Sequence, residues 1–74
     1  MIQSIVAEVL ELPPSQVDER TGPATEGRWT SLRHLQIINR VRRELAVSLT
    51  PREIRSVRTV GDLRRLVGEK ATGR

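Results

Sequence analysis

The chain contains no cysteine, no tyrosine and no phenylalanine, and its only aromatic residue besides His34 is Trp29. Without cysteine there is no disulfide framework, no zinc–thiolate site and no thiol nucleophile. One tryptophan is no platform on which the bases of a single strand can stack. No apolar run approaches the roughly 18 residues of a membrane-spanning helix. The opening segment MIQSIVAEVLEL carries acids where a secretory signal would carry lysine or arginine. These absences place the expected compartment in the cytoplasm and leave no membrane partner. A lone His34 gives no metal constellation, and the few carboxylates show no pairing by spacing. Catalysis by the chain itself is therefore not expected.

What remains is a chain of 74 residues, 36% hydrophobic and 30% charged, the size and composition of one small folded domain. Its charge is uneven. Residues 1–27 hold five acids against Arg20, whereas residues 28–74 hold twelve bases against four acids, leaving the chain at +4. Twelve of the thirteen bases are arginine, which fits either bidentate anion contacts or a genome rich in G and C.

Helical periodicity organises the chain. Ile2, Ile5, Val6, Val9 and Leu12 recur at steps of three and four, and Pro13-Pro14 stops that first helix. From Ser15 to Arg28 no period survives, and Gly22, Pro23 and Gly27 mark a long loop with Val17 as its anchor to the core. A loop this long in so small a domain has either a function or a forced crossing between helix ends behind it. Trp29 closes the loop as an apolar plug.

Thr30 offers an N-cap, and Leu32, Leu35, Ile38, Val41 and Leu45 then follow at helical steps as the expected core face of a second helix. Thr50-Pro51-Arg52-Glu53 is a capping box with proline at the first helical position, opening a short third helix to about Val57. Thr59-Val60-Gly61-Asp62 repeats the start signal for a fourth helix through Leu63, Leu66 and Val67, with Gly68 placed to end it. The expected fold is all-α: a small four-helix bundle of three longer helices and one short third helix, with the long loop between helices 1 and 2. The domain spans 1–69, and 70–74 is expected to be a flexible tail.

The residue that draws attention is Ser31, in the run Gly27-Arg28-Trp29-Thr30-Ser31-Leu32. A helix N-terminus favours a phosphate esterified there, although most serines at such positions are simply caps. Trp29-Thr30-Ser31-Leu32 resembles the Asp-Ser-Leu attachment motif of the acyl carrier proteins, with Thr30 in the place of the aspartate. Ile5-Val6-Ala7-Glu8-Val9-Leu10 resembles that family's first helix, and Thr59-Val60-Gly61-Asp62-Leu63 is similar to the start of its last. The resemblance thus covers nearly the whole chain.

The resemblance implies that a phosphopantetheinyl transferase moves a 4'-phosphopantetheine arm from coenzyme A to Ser31, with Thr30, Leu32 and His34 around the attachment point. The arm brings the thiol that the chain lacks and holds an acyl, aminoacyl or glyceryl unit for enzymes that load and unload it. In the family the residue before the serine lies beside the transferase's metal; Thr30 caps the helix equally well but brings no carboxylate. Trp29 and His34 resemble a subgroup of discrete carriers with a Trp-Asp-Ser-Leu-x-His run, which points to bacterial natural-product biosynthesis of the polyketide or nonribosomal kind. His34 lies one turn from Ser31, either touching the phosphate or standing idle on the helix surface.

Family members usually display acids on the second and third helices, whereas this chain places arginines there. Arg33, Gln36, Arg40 and Arg43 share one stripe of the second helix, and Arg52 and Arg55 lie on the third. The expected partners are enzymes with acidic docking surfaces, met by a discrete, monomeric carrier. Two other readings stay open: an unmodified carrier fold kept as an interaction module, and a small basic DNA-binding module.

Overall fold

The computed structural model describes residues 2–72, and among them the ordered elements are four α-helices and one short 3₁₀ turn. Helix α1 (Ile2–Leu10) lies against α2 (Ser31–Leu45) and α4 (Val60–Thr72); the short α3 (Pro51–Ser56) links α2 to α4. The core is aliphatic, built from Ile5, Val6, Leu10, Ile37, Ile38, Val41, Val60 and Leu63, all essentially sealed from solvent. None of the helices among the described residues is long and apolar enough to cross a membrane.

Helix α1 ends two residues earlier than its periodicity predicts. Glu11 adopts a left-handed φ of 59°, the Leu12 N–H returns to the Ala7 carbonyl at 2.9 Å and the Glu11 N–H to Glu8 at 3.2 Å. This Schellman arrangement satisfies the terminal carbonyls, so Pro13-Pro14 follow a helix that is already closed. The buried face consists of Ile2, Ile5, Val6, Ala7 and Leu10, with Val9 and Leu12 only partly covered.

The N-caps stand where the sequence places them. Thr50 Oγ1 accepts from Glu53 N at 3.1 Å while Glu53 Oε1 accepts from Thr50 N at 2.9 Å, completing the capping box. Helix α4 starts at Val60 but does not stop at Gly68; it continues to Thr72. A single glycine costs a helix only about 1 kcal/mol, and the Lys70 ammonium, 2.9 Å from Glu53, fastens the following turn to α3. Residues 70–72 of the expected tail are part of this helix, and residues 73–74 lie outside the described residues.

The long loop crosses from the end of α1 to the start of α2 by way of the α3–α4 junction. Gln3 Nε2 donates to the carbonyls of Pro14 and Val17, tying the loop's first part to α1. Val17 is buried as expected, and Thr21 and Gly22 are buried too. The Thr21 carbonyl accepts from Val60 N and the Glu19 carbonyl from Gly61 N, both at 2.9 Å. These are first-turn N–H groups of α4, which no intrahelical carbonyl can reach. The loop thus serves as the second half of the α4 cap, and its length is the distance it must travel to get there.

Candidate functional site

Ser31 is the first residue of α2, and its side chain is not the cap. That task belongs to Thr30, which sits in extended conformation with Oγ1 accepting from Arg33 N at 3.3 Å, while its carbonyl accepts from His34 N at 2.8 Å. Ser31 is exposed, and its hydroxyl makes no hydrogen bond to any described residue. The Ser31 and Leu32 N–H groups likewise have no acceptor there. The ordinary reason for a serine at a helix start is therefore absent, and its oxygen stands at the positive end of a 15-residue helix.

Behind Ser31 opens a cavity of about 750 Å³. Ser31, His34 and Leu35 of α2 form one side, with Thr30 at the lip. Ile54 and Arg55 of α3, then Val57 and Arg58 of the following link, form the other; Pro23 and Trp29 of the loop close it. No carboxylate lines it, whereas two arginines do.

His34 corrects both expectations set for it. It is neither idle on the surface nor free to meet a phosphate, because both ring nitrogens are engaged. Trp29 Nε1–H can only donate, so His34 Nδ1 accepts from it at 2.9 Å. The proton of the neutral ring then sits on Nε2, which donates to the Ile54 carbonyl at 2.9 Å. Trp29, 3% exposed, is the plug expected of it, and through His34 it joins the loop's end, α2 and α3 under the site. A phosphate could reach a ring nitrogen only by displacing one of these partners.

Leu32 and Leu35 are a second correction. They were expected in the core and are 65% and 53% exposed. The inward line of α2 begins instead with His34 and continues through Ile37, Ile38, Val41 and Leu45. The first turn's inner place is taken by the Trp29–His34 pair, which rotates Leu32 outward beside Ser31.

The arginine stripe divides. Arg33 Nη1 donates to the Leu10 carbonyl at 3.4 Å, meeting the C-terminal end of α1, where a cation is favoured. Arg40 is half-buried and bridges Glu44 at 2.6 Å and Glu8 of α1 at 2.9 Å. These bonds, that to Glu44 foremost, raise its pKa further above the ordinary arginine value. Gln36, Arg43, Arg52 and Arg55 are exposed and have no side-chain partner among the described residues, as have Arg42 and Arg58. The cavity role of Arg58 and Ile54 was not readable from the sequence, because it depends on how α3 is angled against α2.

A family model described as the phosphopantetheine attachment site matches residues 2–67 of the chain. The comparison with curated proteins finds no match. The groups around Ser31 fit a phosphodiester: an unengaged hydroxyl that can be esterified, and as donors to the phosphate two N–H groups without acceptors and two guanidinium groups facing no carboxylate.

Proposed function

Since the chain belongs to the phosphopantetheine attachment-site family, that of the acyl carrier proteins, whose members hold a covalent 4'-phosphopantetheine and act as carriers, we propose that Ser31 is its attachment residue. The observation that supports this is the exposed Ser31 hydroxyl with no partner, left so because Thr30 does the capping. In the loading step Ser31 Oγ forms the new O–P bond as the pyrophosphate bond of coenzyme A breaks and adenosine 3',5'-bisphosphate departs. No described residue accepts a hydrogen bond from Ser31, so the base that takes its proton comes from the phosphopantetheinyl transferase. The thiol of the arm, once attached, holds the cargo as a thioester. Tethering raises the local concentration of cargo at each docked enzyme, which is the physical advantage over a free thioester.

The cargo on this reading is an acyl, aminoacyl or similar building block, and the setting is bacterial polyketide, nonribosomal or related natural-product biosynthesis in the cytoplasm. Leu32 offers the transferase an apolar contact beside Ser31. Docking enzymes present acidic surfaces, and the arginines that meet them are those without internal partners, Arg43 and Arg52 foremost. Reversing both to glutamate should slow association with the cognate enzyme at low salt by at least about tenfold, a difference that high salt removes. Unchanged rates refute this docking surface.

The attachment itself is tested by intact mass after incubation with coenzyme A and a broad-specificity phosphopantetheinyl transferase. The wild type should gain one phosphopantetheine and Ser31→Ala none. An unmodified wild type, or an adduct that survives in Ser31→Ala, overturns the assignment.

A further inference from the structure

Arg55 and Arg58 have no ion pair and no side-chain hydrogen bond among the described residues, yet both line the cavity that opens at Ser31. Three arginines elsewhere do meet carboxylates, Arg40 with Glu8 and Glu44, Arg64 with Glu19 and Arg65 with Asp62, and the other unpaired ones, such as Arg42, Arg43 and Arg52, lie away from the Ser31 cavity. Glu53, the one acid of α3, is already committed to the Thr50 N–H and the Lys70 ammonium. Two like charges therefore share one cavity with no carboxylate of the described residues to balance them. The rest of the floor, Trp29, Ile54 and Val57, is apolar.

We propose that Arg55 and Arg58 hold the phosphodiester of the arm on Ser31, seating the arm's first segment over Trp29 and Ile54 instead of leaving it free in solvent. The proposal rests on Ser31 being the attachment residue. A phosphate esterified to Ser31 would stand one bond from an oxygen in the same cavity, so the occupant is fixed by covalent continuity as well as by charge. Guanidinium suits the task, since its planar fork meets two phosphate oxygens at once. The two arginines are positioning residues: they set where the arm leaves the protein and leave its chemistry untouched. Because both are exposed, the pairing is sensitive to salt, the screening length falling from about 10 Å at 0.1 M to about 3 Å at 1 M.

The test uses the loaded, full-length chain and two readouts, the ³¹P resonance of the phosphodiester and the emission of Trp29. A seryl-phosphopantetheine peptide is the reference for an unheld arm. In the loaded wild type both signals should move as salt rises from about 0.02 M to about 1 M, approaching the reference at the upper end. Arg55→Gln/Arg58→Gln should lose that movement and resemble the reference throughout. Arg55→Lys/Arg58→Lys should keep most of it. Far-UV circular dichroism checks that each variant is folded, and intact mass scores loading independently. Loaded wild type and loaded double-glutamine variant with the same salt response overturn the clamp and leave the attachment standing. Absence of any adduct on wild-type Ser31 overturns the attachment, and the clamp with it. Should the glutamine variant resist loading, the wild type alone decides: a ³¹P position that tracks the peptide at every salt concentration refutes the clamp.

Discussion

Replacing Gly22 by alanine tests the claim that the long loop is a structural cap for α4. A Cβ built on Gly22 would stand 1.9 Å from the Arg58 carbonyl oxygen and 3.2 Å from the Thr59 Cα. Both are backbone atoms, so no side chain can swing aside. Overpacking of this kind costs about 1–3 kcal/mol when the surroundings can adjust. Here adjustment means moving the loop off the α3–α4 junction, which strains or breaks the bonds from Val60 N to Thr21 and from Gly61 N to Glu19. Each contributes about 1 kcal/mol net, which brings the expected loss to about 2–4 kcal/mol. A domain this small holds only about 3–5 kcal/mol in all, so the melting midpoint should fall by more than about 10 °C. Gly27→Ala is the matched control, because its added Cβ meets nothing within 4 Å and its φ is not positive. It should be neutral or stabilise by about 0.4–1 kcal/mol. Urea unfolding can be followed by far-UV circular dichroism and by emission, which reports on Trp29 alone because the chain has no tyrosine. Equal midpoints for the two variants would refute both the close approach and the capping role.

Gly68→Ala should stabilise the protein by about 0.5–1 kcal/mol, because the residue lies inside α4 and a Cβ added there meets nothing within 4 Å; a loss in the same urea titration would return Gly68 to the helix end. The Glu53 carboxyl is held below its ordinary pKa, first by the Thr50 N–H and then by the Lys70 ammonium. Its contribution is therefore complete above the ordinary glutamate value and is lost as pH falls through the lowered folded value. Glu53→Gln should accordingly flatten the acid limb of the stability–pH curve in the range below the ordinary glutamate pKa, and an acid limb as steep as wild type counts against the clasp. Thr30→Asp should keep the cap, changing stability by no more than about 0.5 kcal/mol, and should speed loading by supplying the carboxylate the attachment motif normally carries; an unchanged time course by intact mass would refute a loading role for that carboxylate.

The parts of the fold that could be read in advance are those decided within four residues. Thr30, the Thr50–Glu53 box and the Thr59–Asp62 start are local hydrogen-bond patterns, and each stands in the structure at its expected position. The arrest of α1 at Leu10 and the passage of α4 through Gly68 were harder, because a glutamate in left-handed conformation and a glycine in a helix both defy propensity and are stabilised by neighbours. The core face of α2 departs from its apolar spacing for a related reason. Counting apolar residues at helical steps treats Leu32 and Leu35 as equivalent to Ile38, but a histidine whose two nitrogens are satisfied by Trp29 and Ile54 can occupy an inward position that a leucine would otherwise fill. No rule of spacing shows that a polar residue has found both its partners. Around Ser31 the position and the cap were legible, whereas the facing wall of Arg55 and Arg58 depends on tertiary placement.

The same distinction governs the chain's charge. On composition alone the arginines of α2 form one basic stripe, yet the structure sorts them by what lies opposite. The acidic first part of the chain supplies Glu8 and the carbonyl end of α1, and these face Arg40 and Arg33 across the α1–α2 contact. Glu19 of the loop likewise faces Arg64 of α4. The uneven charge along the sequence is thus partly internal complementarity, the acids of residues 1–27 meeting bases that the fold brings against them. What this leaves over is more informative than the total. Within residues 28–72, Arg42, Arg43, Arg52, Arg55 and Arg58 have no side-chain partner among the described residues, and two of them share the cavity of Ser31. A surface pair contributes little to stability, so the fold has little to gain from matching these five. On the function proposed above, their counterparts are the phosphate of the arm for Arg55 and Arg58 and the acidic faces of docking enzymes for the remainder.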